Sequence, residues 1–88
     1  MVSDELLKKW AYVNCSKYRV KVLEYLDSVD YDMPKNIAEN IGILQNHISM
    51  TLSQLMNEGL IECVNPEAHK GRLYRITDEG HEVNSIEK

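Results

Sequence analysis

The sequence predicts a mainly helical domain with a two-stranded β-hairpin, and three observations carry that prediction. Apolar residues recur at helical spacing in four separate stretches between Leu6 and Met56. Gly42 and Gly59 stand where two of those stretches must stop. Two β-prone runs, Leu60 to Val64 and Arg72 to Thr77, flank the turn signals Asn65-Pro66 and Lys70-Gly71.

Each element has its own signature. Ser3 followed by Asp4 and Glu5 suits a helix start, with a capping hydroxyl and acids at the positive end of the dipole. Leu6, Leu7, Trp10 and Val13 then give a first helix within residues 1–14, reaching about Val13. Asn14-Cys15-Ser16 interrupts it, and Ser16 can cap a second helix from Lys17 to about Ser28. Its stripe is Tyr18, Val22, Leu23 and Leu26, with Lys17, Arg19 and Lys21 alongside. Asp30-Tyr31-Asp32 reads as a loop. Pro34 fits the first position of a third, short helix carrying Ile37, Ala38 and Ile41, which Gly42 ends in a left-handed turn. A fourth helix runs from near Gln45 to Glu58 with Ile48, Leu52, Leu55 and Met56 inward, and Gly59 stops it. The hairpin occupies residues 60–77, with a loop of about six residues. Thr77 or Asp78 caps a final polar helix over 78–88, which includes Val83 and Ile86. Three helices, a tight turn, a helix, a hairpin and a helix make the winged helix-turn-helix order, with residues 34–58 as the helix-turn-helix.

The 88 residues make one domain, 1–88, with 43% apolar and 27% charged residues, ordinary for a globular protein. A chain this short buries only a little over ~60% of its unfolded surface, so support from a partner chain is expected. Cys15 and Cys63 lack metal-ligand spacing and are expected as two small buried thiols. Acids and lysines break up the N-terminal stretch, so no signal peptide is expected, and no run reaches the ~18 apolar residues of a membrane span. A cytoplasmic protein that does not enter a membrane follows. His47, His69 and His81 lie at no metal-binding spacing with each other or with the cysteines, so no metal or other cofactor is expected. There is no glycine-rich phosphate loop and no grouped nucleophile and base, which argues against an enzyme.

The net charge of -4 is uneven. Residues 76–88 carry one basic and four acidic groups, giving -3, whereas residues 59–75 carry three and two, giving +1. A nearly neutral body with a local basic surface can still hold phosphates.

The most specific signal is the spacing of Ala38, Gly42 and Ile48. Two helices crossing through a tight turn need a small residue at the contact, a residue tolerant of positive φ in the turn, and an apolar anchor after the first turn of the second helix. The stretch IAENIGILQNHISMTLSQLMNEGLIECVNPEAHKGRLYRITDEG resembles the small winged helix-turn-helix regulators of archaea, relatives of the ArsR-like and MarR-like repressors. The resemblance covers roughly residues 16–80. It departs from the family at Met50, where such proteins often carry Arg, which weakens the case for a phosphate or guanine contact there.

The resemblance implies that the helix over about 45–58 lies in a major groove with its N-terminal half toward the bases. With Ile48, Leu52 and Leu55 inward, Gln45, Asn46, His47, Ser49, Met50 and Ser53 fall outward or at the edge, and no charge occurs from Leu44 to Asn57. Gln and Asn can pair with adenine, and Met50 can lie against a thymine methyl. Lys35 with its helix terminus, Lys17 or Arg19, and the wing residues His69, Lys70 and Arg72 are the expected backbone contacts. Arg75 either joins them or faces Glu62 across the hairpin. Leu6, Leu7, Trp10, Val13, Val83 and Ile86 form the expected dimer surface. The expected function is therefore sequence-specific binding of double-stranded DNA by a homodimeric transcription regulator. The alternative is a winged-helix docking module for proteins in a transcription or replication assembly.

Overall fold

The computed structural model describes residues 2–86. Five helices and one hairpin follow in the expected order: α1 (Asp4–Asn14), α2 (Lys17–Asp27), α3 (Pro34–Ile41), α4 (Gln45–Asn57), β1 (Ile61–Cys63), β2 (Tyr74–Ile76) and α5 (Asp78–Asn84). The caps are the residues the sequence offers. The Ser3 hydroxyl accepts from the Leu6 N–H, Ser16 from Arg19 and Thr77 from Gly80, each satisfying a first-turn donor that has no partner inside its helix. Pro34 opens α3, and Gly42 closes it with φ 72°, a left-handed conformation that an L side chain rarely adopts.

The core forms because α2, α3 and α4 turn their apolar stripes toward one another. Val22, Leu23 and Leu26 of α2 meet Ile37 and Ala38 of α3 and Ile48, Leu52 and Leu55 of α4, all buried. Leu60, Ile61 and Tyr74 extend that core into the hairpin, and Val13 and Val83 extend it under α1 and α5.

The hairpin is antiparallel, with Ile61 opposite Ile76, Glu62 opposite Arg75 and Cys63 opposite Tyr74. The Asp30–Asp32 stretch is more than a loop. The Asp32 N–H donates to the Tyr74 carbonyl at 3.0 Å and the Tyr74 N–H to the Asp32 carbonyl at 2.9 Å, an isolated antiparallel bridge beside the two-stranded sheet. The Asp32 side chain ties α2 to the start of α3, accepting from the Tyr25 hydroxyl, from the Met33 N–H at 2.8 Å and from Asn36 Nδ2 at 3.1 Å. Burial by itself pushes this carboxyl up. The hydrogen bonds, Tyr25 foremost, more than reverse that and hold it below the usual carboxylate value.

Three expectations need correction. α5 ends at Asn84, so Ile86 lies beyond it, and Glu87 and Lys88 of the expected 78–88 helix lie outside the described residues. A seven-residue helix has only about two turns, and its inward apolar residue is Val83. Cys15 is exposed rather than buried, because it caps the end of α1 at the corner into α2, and Cys63 is only partly covered. The strands are shorter than the β-prone runs, because Asn65 and Arg72 hold the connecting segment in a loop of its own.

α5 approaches the hairpin closely at Gly80, where a Cβ would stand 2.0 Å from the Leu60 carbonyl oxygen. Gly80→Ala is expected to destabilise the fold by roughly 1–3 kcal/mol despite alanine's better helix propensity, measured by urea unfolding. Asp32 has a depressed folded pKa, so its contribution is complete above its ordinary value near 3.8 and is lost as pH falls through the lower folded value. Asp32→Asn is expected to be less stable at neutral pH and to show a flatter loss of stability below pH ~4, read from unfolding midpoints across the acid range.

Candidate nucleic-acid interface

α4 presents one face to the core and the opposite face to solvent. Ile48, Thr51, Leu52 and Leu55 are buried, and the Thr51 hydroxyl donates to the His47 carbonyl at 2.8 Å. That local bond disposes of a polar group that would otherwise be left unpaired in the interior. On the far side Asn46, Met50, Ser53 and Asn57 follow at i, i+4, i+7 and i+11, with Gln45 and Ser49 beside them, and all six are exposed. The outward face therefore offers amides, hydroxyls and one thioether, without a formal charge.

Two contacts from α2 fix how this face is aimed. The Tyr18 ring packs on His47 with centroids 5.0 Å apart and planes at 33°, leaving His47 half-buried at the edge of the face. Two turns further along α4, the Arg19 guanidinium donates to Gln54 Oε1 at 3.1 Å; it also donates to the Tyr12 carbonyl at 2.9 Å and lies 4.0 Å above the Tyr12 ring. Arg19 thus joins α1, α2 and α4 rather than standing ready for phosphate. Composition gave no sign of this role, since a basic residue on a helix flank looks the same in either use.

The basic residues divide in the same way. Lys35, in the first turn of α3, and Lys17 and Lys70 are exposed. Arg72 is exposed, but its Nε donates to the Ala68 carbonyl at 2.9 Å and its Nη2 to the Pro66 carbonyl at 3.3 Å, bracing the wing loop. Asn65 braces the same loop from inside, accepting from the Leu73 N–H at 2.7 Å and donating to the Gly71 carbonyl at 3.1 Å. Arg75 pairs with Glu62 across the hairpin at 2.7 Å, the structural alternative of the two open to it. Among the described residues no group of three or more His, Cys, Asp or Glu could hold a metal ion. No described helix is long and apolar enough to cross a membrane.

The residues expected at a dimer surface do not all reach the surface. Val13 and Val83 are 3% and 1% exposed, buried in the chain's own core. Leu6, Trp10 and Ile86 are half-buried, and Leu7 is open at 42%. The Trp10 indole N–H is buried without a hydrogen-bond partner among the described residues.

The helix pair over residues 34–57, followed by the hairpin, makes a winged helix-turn-helix fold. Three solved regulators share the arrangement. A MarR family transcription regulator is 24% identical with a TM-score of 0.68, covering 75% of this chain and 44% of its own. The PcaV transcriptional regulator of Streptomyces coelicolor, solved with its natural ligand, is 27% identical with a TM-score of 0.71, covering 78% of this chain and 50% of its own. The transcriptional repressor CouR, solved on a 23-mer DNA duplex, is 24% identical with a TM-score of 0.73, covering 93% of this chain and 58% of its own. This chain spans about half the length of these regulators. No curated protein is similar enough in sequence to match. Residues 10–83 match the family described as "Uncharacterized protein conserved in archaea (DUF2250)", and the chain belongs to it.

Proposed function

We propose that the protein is a transcription regulator that binds double-stranded DNA, with α4 in the major groove and the wing against the backbone. The observation that carries this reading is the outward face of α4, a rigidly held row of amides and hydroxyls with no formal charge. A helix face that only meets water gains nothing from excluding Lys and Glu. Base edges present donors, acceptors and methyl groups, which such a face complements. The likeness to CouR, itself solved on a DNA duplex, supports the same reading. Lys35 with the first-turn N–H groups of α3, and Lys70 at the wing tip, supply phosphate contacts. Arg72, held by two loop carbonyls, gives the wing its shape.

Selection from random duplexes, followed by titration at two salt concentrations, tests this reading. Asn46→Ala is expected to cost about 1–3 kcal/mol on the selected site and little on random DNA. Replacing Lys35 and Lys70 with Ala is expected to weaken all sequences alike and to flatten the salt dependence by roughly 0.9 per phosphate lost. Affinity that ignores salt would overturn DNA binding and favour the protein-docking alternative.

The same reading takes the regulator as a homodimer. Leu7, 42% exposed, and the half-buried Trp10 lie one turn apart on α1 and form the centre of the proposed contact. A two-fold pair would set two α4 helices about one DNA turn (~34 Å) apart. Leu7→Asp is expected to shift the sedimenting mass from two chains to one without unfolding the domain. A wild-type mass of one chain at tens of micromolar would defeat the dimer.

A further inference from the structure

Among the described residues, the two most exposed of the large hydrophobic side chains are Leu44, at 67%, and Met50, at 61%, and both belong to the reading element. Neither position is apolar for the sake of the fold. Leu44 is the N-cap of α4, with extended backbone and no side-chain hydrogen bond to the helix. Ser, Thr, Asp or Asn at that position would satisfy an open N–H, so leucine there costs helix stability and brings no burial in return. Met50 occupies the centre of the outward face between Asn46 and Ser53. The two are separated by the exposed polar residues Gln45, Asn46 and Ser49. That spacing suits a polar surface with isolated methyl groups better than a continuous apolar protein patch. The major-groove edge of duplex DNA is such a surface, since thymine adds a C5-methyl to a row of donors and acceptors.

Building on the DNA-binding reading, we propose that Leu44 and Met50 are specificity-determining residues that each pack on a thymine methyl, so the preferred site is rich in A·T pairs. Gln45 and Asn46 match the adenines of such pairs through their paired donor and acceptor. Six residue steps separate the two positions, about 9 Å along the axis, which spans roughly two to three base steps.

The test replaces thymine by deoxyuridine throughout the site selected from random duplexes, a change that removes only the C5-methyl. Wild-type protein is expected to bind the deoxyuridine duplex more weakly, by about four-fold for each contacted methyl. Leu44→Ala and Met50→Ala are each expected to lose part of that difference, and the double variant nearly all of it. Leu44→Ser should raise the thermal midpoint by roughly 4–8 °C while losing its share of thymine discrimination, opposite signs that a purely structural leucine would not produce. Equal wild-type affinity for the two duplexes overturns the proposal and leaves DNA binding standing. A thymine preference that survives in the double variant overturns it as well. Failure to select any site overturns both this proposal and the reading beneath it. Weaker self-association of the two variants, with no response to deoxyuridine, would assign the pair to protein docking instead.

Discussion

The buried face of α2 is the constraint on which the rest of the molecule depends. Val22, Leu23 and Leu26 are all but inaccessible to solvent, and α1, α3, α4, α5 and β2 each pack on this one helix. In a chain of 88 residues there is material for only one such hub. Because the other four helices and β2 pack on α2, its polar flank also becomes the frame for the candidate interface. Tyr18 packs on the first turn of α4 and Arg19 binds its third, so the helix is held in roll as well as in depth.

That restraint matters for what α4 can do. Base readout in a groove requires side chains to arrive at defined heights and angles, and a helix free to rotate would blur the pattern it presents. The apolar anchors Ile48, Leu52 and Leu55 set which face points outward, and the Tyr18 and Arg19 contacts resist rotation about them. The same Arg19 grips the C-terminal turn of α1 through the Tyr12 carbonyl and ring. The proposed dimer helix and the proposed reading helix thus share one guanidinium. Asp32 plays the corresponding part for the wing, pinning the start of α3 to α2 with its side chain and to β2 with its backbone.

Charge is distributed to match. Asp78, Glu79 and Glu82 sit on α5, where His81 and Asn84 bind Asp27 and Glu79 meets Lys9 of α1. These contacts fasten α5 to the hub and α1 to α5. The face of α4 keeps no formal charge, and Lys35 and Lys70 stand on the flanking elements. A negative total is therefore compatible with a surface that phosphates can approach, because screening confines each charge to its own neighbourhood of about 10 Å.

Much of this was legible in the residues themselves. Local signals decide local structure: the hydroxyls of Ser3, Ser16 and Thr77, Pro34, and the positive-φ glycines at 42 and 59 mark where helices begin and stop. The i, i+4, i+7 stripe of α4 likewise implied its outward face, because helical geometry is the same in every context. What remained hidden depends on partners distant in sequence. Nothing near Asp32 announces a bridge to Tyr74, nothing near Arg19 distinguishes a clamp on Gln54 from a phosphate contact, and Val13 and Val83 look as available as Leu7 until the fold covers them. Leu44 gives no signal in the sequence, because an aliphatic residue beside a helix is ordinarily core. Only the packed structure shows that side chain in solvent, since exposure belongs to the whole assembly of elements and to no residue alone.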